Sequence, residues 1–186
     1  PWHWCVIDQR VRQMAEALAL VRACPEVTDE ELLQLLHRLY QETYYLRTEM
    51  KVWVDRRHNG GLGMIQGMTH ACALLSDFAA PSEWAEYNAR LLVEYIQGSF
   101  YPDGACTELT MAYSASVAQQ VQQLAYLIRD RQAIREARPL LTAITEWVVH
   151  MGRPVGRIPS FGDLYASDAR RSIHPPMLEW LGADWA

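Results

Sequence analysis

Two short stretches carry the residues whose types could do chemistry. The first, Arg57-His58-Asn59-Gly60-Gly61, sets a guanidinium, an imidazole and a side-chain amide beside paired glycines. The second runs from Tyr101-Pro102-Asp103-Gly104 through Glu108 to Tyr113. It offers carboxylates and phenols. Together these groups suit a sugar acid: cation, imidazole and amide can face a carboxylate, while a phenol can exchange protons. Each stretch falls where one predicted helix gives way to the next. If the two junctions face each other they form a site. If they do not, the chain is a helical domain with no visible chemistry.

Taken singly, each stretch also has a plain reading. Glycines at the first junction let the backbone approach a ligand closely. Asn59 can cap the following helix or donate outward, and Arg56 and Arg57 can simply complement the dipole at the end of the preceding helix. In the second, Pro102 and Gly104 occupy favoured turn positions. Glu108 can help cap the next helix, and Tyr113 can pack in the core with its hydroxyl satisfied.

The elements that must position these residues are helices. Ile7, Val11, Met14, Leu18 and Val21 recur at steps of three or four and predict a first helix ending near Cys24-Pro25. Thr28-Asp29-Glu30-Glu31 is a capping box that opens a second helix through Leu32, Leu39, Leu46 and Trp53. Gly60, Gly61 and Gly63 are expected to loosen the chain before a third helix carrying Met64, Met68, Cys72 and Leu75. Pro81-Ser82 predicts the cap of a fourth, through Trp84, Tyr87, Leu91 and Tyr95, closed by Gly98. A loop from Ser99 to about Thr110 follows. A fifth helix carries Val117, Val121, Leu124 and Ile128, and a sixth Leu140, Leu141, Ile144 and Val148. After Gly152 the chain reads as a Pro- and Gly-punctuated loop through Pro175-Pro176. No sustained period-two strand is present. The expected class is therefore all-α: six antiparallel helices in hairpins, as in an incomplete (α/α) toroid or a helical solenoid, with an irregular C-terminal segment over 152–186. We expect 1–186 to form a single helical domain.

Composition narrows the functions. The 186 residues are 50% apolar and 21% charged, an ordinary globular balance, and the net charge is −5. A general nucleic-acid binder would need a basic face, so none is expected. A few local arginines can still neutralise a carboxylate. No apolar run approaches the roughly eighteen residues a membrane helix needs. The cysteines Cys5, Cys24, Cys72 and Cys106 lack C-x-x-C spacing and read as small buried residues, not as a disulfide frame or zinc site. No phosphate-cradling glycine loop, dinucleotide fingerprint or metal constellation appears, so no cofactor is expected. Starting at Pro1 and ending just past a Pro-rich turn, the chain reads as a piece of a longer protein. Seven Trp and nine Tyr are plentiful. Trp53, one turn ahead of His58-Asn59, is a candidate platform for a sugar ring; Trp84, Tyr87 and Trp147 are expected in the core. His150 and His174 match no motif and are read as structural or solvent-exposed.

The order of these motifs resembles the heparinase II/III-type polysaccharide lyases. His58-Asn59 with its glycine-rich helix comes first, followed by Ala71-Cys72-Ala73-Leu74-Leu75-Ser76-Asp77-Phe78 and Trp84. Tyr101-Pro102-Asp103-Gly104-Ala105-Cys106-Thr107-Glu108 with Tyr113 comes next, and Ile158-Pro159-Ser160-Phe161-Gly162-Asp163 after that. The likeness covers about residues 50 to 170 and, more loosely, the whole chain. It implies an (α/α) toroid followed by a β-sandwich domain that lies outside this chain. It also implies β-elimination at a uronic acid within an acidic polysaccharide or oligosaccharide, such as alginate or a glycosaminoglycan. Asn59 with His58 would neutralise the uronate carboxylate, and Tyr113 would act as acid and as base. A tyrosine with an ordinary pKa near ~10 serves as base only if cations such as Arg57 lower it. From their own chemistry, Arg57 and Trp53 are candidate sugar contacts, Glu108 is read as orienting Tyr113 or an arginine, and Asp163 as binding a sugar hydroxyl or serving its own turn. Such an enzyme is expected in the periplasm or secreted, with a homo-oligomer as one form.

Two departures stand out. The usual Asn-then-His order is inverted here, and where many relatives carry His after the tyrosine this chain has Ser114. They support an alternative, a helical carbohydrate-binding domain without turnover. A glycoside hydrolase would need two carboxylates across the bond, for which only Asp103 and Glu108 are available.

Overall fold

Secondary structure in the computed structural model is almost entirely helical, as expected. It describes residues 4–57, 59–108, 110–152, 156–159 and 167–182, of which 4, 5, 79, 112 and 167–170 are described as backbone alone. The chain divides into two compact units, Pro1–Leu91 and Leu92–Ala186. The division falls within one helix, α4 (Ala79–Ser99).

In the first unit α1 (Trp4–Val21), α2 (Asp29–Asp55) and α3 (Asn59–Leu74) pack against one another. The capping box opens α2 as predicted: Thr28 Oγ1 accepts from the Glu31 N–H, and the Glu31 carboxylate accepts from the Thr28 N–H at 2.9 Å. Ile7, Val11 and Leu18 of α1 and Leu39, Leu46, Met50 and Val54 of α2 are buried in the core of this unit. α3 is buried on most of its circumference, which fits a helix that is apolar nearly all round. Its glycines correct the sequence reading. Gly60, Gly61 and Gly63 do not loosen the chain; they lie inside α3. A Cβ at Gly61 would sit 2.9 Å from the Trp53 carbonyl of α2. One at Gly67 would sit 3.2 Å from the backbone of Asp8 on α1. Lost helix propensity is thus traded for close helix packing.

Two buried carboxylates in this unit are treated differently. Glu42 of α2, 1% exposed, accepts from the Arg10 Nε of α1 at 2.9 Å and the Arg38 Nε at 2.7 Å. Its charge is matched, and the pairing ties α1 to α2. Asp8, 5% exposed, has an Oδ1 with no hydrogen-bond partner, and its Oδ2 faces Gly63. Burial pushes the Asp8 carboxyl up, against the Gln9 N–H and the Arg12 guanidinium, which pull it down. A carboxyl raised in the folded state binds its proton more tightly there than in the unfolded chain. Ionised Asp8 therefore costs stability above its folded pKa, and the cost vanishes below the unfolded value near ~4. Asp8→Asn is expected to raise the melting temperature at pH 7, with a gain that fades toward pH 3.5. Thermal melts at the two pH values check it.

The N-terminal half of α4 packs on α2 and α3. Asn88 Nδ2 donates to Thr69 Oγ1 at 2.9 Å, and the Trp84 ring lies 5.2 Å from that of Tyr40. α4 starts at Ala79, so Pro81 lies in its first turn, where a missing N–H costs nothing. Gly98 lies within α4, one residue before its end. Trp84 is buried as expected, but Tyr87 is only half-buried and lies under the Arg47 guanidinium at 3.5 Å.

In the second unit α5 (Met111–Leu127) and α7 (Arg138–Met151) share a core of Val117, Val121, Leu124, Leu141, Ile144 and Val148. A short helix, α6 (Gln132–Glu136), precedes α7. Trp147, expected in the core, is half-buried. The stretch after Gly152, read as loop, holds two short antiparallel strands, β1 (Arg157–Ile158) and β2 (Ser167–Asp168), and an eighth helix, α8 (Pro175–Leu181). Pro175-Pro176 starts α8: proline is well suited to the first helical turn. Gly182 ends it in the left-handed region, φ +67°. Gln122 of α5, fully buried, fastens this segment by accepting from the His174 N–H at 3.0 Å. His174 is half-buried with its ring edge-on to Tyr126, and burial pushes its imidazole down; His150 is exposed. Among the described residues no helix is long and apolar enough to cross a membrane.

Candidate functional site

The first junction is a tight corner between α2 and α3. Arg56 caps α2 in helical conformation, and Arg57 turns the chain with φ +53°, a left-handed value that side chains other than glycine rarely adopt. Arg57 is exposed. Asn59 is the first residue of α3, not the residue preceding it, and its side chain is exposed. Trp53 is half-buried, with the Arg56 guanidinium 5.4 Å from its ring. His58 lies outside the described residues, as does Asp163. An apolar groove of about 410 Å³, lined by Leu33, Tyr40, Leu75, Phe78 and Pro81 among others, opens elsewhere in this unit. Tyr40 is fifteen positions from Asp55 along α2, about 22 Å at the helical rise. His37 is the groove's one ionisable group besides the Tyr40 phenol, so acid–base chemistry is better placed at the junction.

The second junction is more firmly built. Tyr101-Pro102-Asp103-Gly104 closes a turn in which Gly104 N–H donates to Tyr101 O at 2.9 Å and Tyr101 N–H to Ala105 O at 2.8 Å. Asp103 Oδ1 accepts from the Ala105 N–H at 3.0 Å, so this carboxylate braces the turn. Phe100 and Cys106 pair across it as an antiparallel bridge. Gly104 has φ +87° and lies flat against α7: a Cβ there would fall 2.1 Å from Ala143 O. The loop is thereby pinned to the helix core, and it delivers Cys106 and Glu108 toward the start of α5.

Tyr113 stands in the first turn of α5, half-buried, as is Glu108. Around them the unit gathers groups that the sequence did not single out. Tyr95, on the last turns of α4, is 1% exposed. Burial pushes its phenol well above the ordinary range. Cys106 adds to the rise, Ser99's hydroxyl opposes it, and the charges of Glu108 and Tyr113 raise it further. Burial likewise pushes the Cys106 thiol up, opposed by the Glu108 N–H and the Ser114 hydroxyl. Tyr95 and Cys106 are therefore neutral at ordinary pH and can act as hydrogen-bond donors, not bases. Tyr113, Glu108, Cys106 and Tyr95 form one electrostatically coupled cluster. The helical period marks Tyr95 only as a core position, and nothing in its spacing distinguishes it from Leu91 or Leu92.

Of the residues named from sequence, Trp53, Arg57 and Asn59 belong to the first unit, and Glu108 and Tyr113 to the second. Cys72 and Cys106 are buried as expected, whereas Cys24 is half-exposed in the turn after α1, donating to Glu26 Oε2 at 2.9 Å; all three are free thiols. Among the described residues no group of three His, Cys, Asp or Glu could hold a metal ion.

A helical scaffold whose helix junctions carry exposed amide, cation, phenol and carboxyl groups defines the class. The Heparinase II/III N-terminus family matches residues 1–179, nearly the full chain, and the chain belongs to that family. It is thus related to the polysaccharide lyases. No curated protein and no solved structure matches it.

Proposed function

We propose that this chain is the helical catalytic part of a lyase that cleaves a uronate-containing polysaccharide or oligosaccharide by β-elimination. The observation that carries the reading is the Tyr113 cluster, held on a rigid loop at a helix start in a chain of the heparinase II/III family. The proton at C5 of a uronate is barely acidic until the neighbouring carboxylate is neutralised. An amide, an imidazole or a guanidinium, the groups that Asn59, His58 and Arg57 carry, is the chemistry that stabilises the developing enolate dianion. Tyr113 takes the C5 proton as phenolate and returns a proton to the departing C4 oxygen. The C5–H electron pair forms the C4–C5 double bond as the C4–O bond breaks. Glu108 orients the phenol, and Trp53 and Asp163 are the candidates for a stacking face and a hydroxyl acceptor on the sugar. A substrate of this kind places the protein in the periplasm or outside the cell. The Asp103 carboxylate is engaged in its own turn, which weighs against a hydrolase with Asp103 and Glu108 as its acid pair.

Formation of the conjugated double bond, followed in the ultraviolet on defined acidic oligosaccharides, tests this reading. Binding without unsaturated product would favour the non-catalytic alternative. Arg57 gives a sharper test. Glycine there relieves a left-handed strain of about 1 kcal/mol and loses a similar amount to chain entropy. Arg57→Gly is therefore expected to keep its melting temperature but lose about tenfold in kcat/KM, through one lost charge contact. Equal loss on neutral and acidic oligosaccharides would contradict a role at the carboxylate.

A further inference from the structure

We infer that Ser114 is the positioning residue of the Tyr113 cluster. It is 2% exposed, and its hydroxyl lies 2.7 Å from the Glu108 carbonyl oxygen and 2.8 Å from that of Thr110. Its N–H also donates to Thr110 O at 2.9 Å. The bond to Thr110 is the ordinary one for a helical serine, four residues back. The bond to Glu108 spans six residues and leaves the helix altogether, so one shared hydroxyl proton clamps the incoming loop to the first turn of α5.

Thr110, the N-cap, makes no side-chain cap bond. Ser114, the residue after Tyr113, thereby ties Glu108 to the first turn of α5. The residue is a latch that orients Glu108 and Tyr113. The latch stands on the geometry; its catalytic consequence rests on the lyase reading.

The test uses the full-length protein with Ser114→Ala and Ser114→Thr, the latter keeping the hydroxyl. Two readouts are taken: steady-state kinetics on an acidic oligosaccharide, and peptide-resolved labelling of Cys106 by N-ethylmaleimide with buried Cys72 as the internal reference. Losing one hydrogen bond should raise Cys106 labelling about tenfold in Ser114→Ala, with Cys72 unchanged. kcat should fall about tenfold or more at nearly constant KM, since a small misplacement of a reacting group costs rate and not binding. Ser114→Thr should restore both.

Unchanged Cys106 labelling in Ser114→Ala would overturn the latch, as would equal rises at Cys72 and Cys106, which signal general unfolding. Raised labelling with unchanged kcat in an active wild type would overturn its role in positioning. If the wild type itself is inactive, the lyase reading fails and labelling alone decides the latch.

Discussion

On the proposed lyase reading, Tyr113→Phe is expected to leave a folded protein that forms unsaturated product about 10²–10⁴-fold more slowly than wild type, the span seen when a positioned acid or base is removed. The loss falls at the upper end if one phenol both takes the C5 proton and protonates the leaving oxygen, because both transfers then depend on a single hydroxyl. Phenylalanine keeps the ring of this half-buried residue, so the packing of the first turn of α5 survives. The expected signature is a fall in kcat with KM nearly unchanged, the mark of an interaction made in the transition state. Neighbouring Tyr95 cannot take over, because burial and the adjacent acidic groups keep it protonated. Kinetics together with a thermal melt check the result. A fully active Tyr113→Phe protein would remove this residue from the mechanism.

Gly104→Ala carries the largest expected effect on stability. The residue has φ +87°, and an added Cβ would lie 2.1 Å from Ala143 O and 2.3 Å from Ala143 C, within the backbone of α7, which cannot yield as a side chain could. Backbone strain of about 1–3 kcal/mol combines with overpacking of similar size. A total of about 4 kcal/mol lowers the melting temperature of a unit the size of the second by roughly 20 °C. Gly182→Ala is the control. Its φ of +67° is also left-handed, but the nearest atom to a new Cβ is the Arg138 Nη2 at 3.7 Å, so only the conformational cost remains. Similar melts for the two variants would contradict the close seating of the loop on α7. Because the same loop delivers Cys106 and Glu108, Gly104→Ala should also lose activity below its melting temperature, while Gly182→Ala should not.

Elements built from strong local signals were legible in the sequence. The Thr28–Glu31 box located the start of α2, and the three- and four-residue spacing of Val117, Val121 and Leu124 located α5. Misreadings arose where one residue type serves opposite ends. Glycines weaken an isolated helix, yet Gly61 and Gly67 are what let α3 approach α2 and α1. Pro175-Pro176 punctuates a loop in one setting and starts a helix in another, and only the residues that follow decide between them.

At each junction the side chains that carry chemistry were legible: exposed Asn59 and Arg57 at the first, half-buried Glu108 and Tyr113 at the second. The buried surroundings of the second were not. Tyr95 obeys the same period as its apolar neighbours. Ser114 looked like a missing histidine until its hydroxyl was found on the Glu108 carbonyl. Gly104 read as a turn residue, with no sign that α7 lay against it. Gly104 depends on a contact with a residue distant in sequence, and Tyr95 and Ser114 on how the loop before α5 folds back, neither of which local pattern encodes.

The most direct measurement incubates the full-length protein with alginate, hyaluronan, chondroitin and heparan-type chains and follows ultraviolet absorbance. The account predicts a rise on at least one of these substrates that disappears in Tyr113→Phe. Silence across the whole panel, from protein shown to be folded, would contradict it.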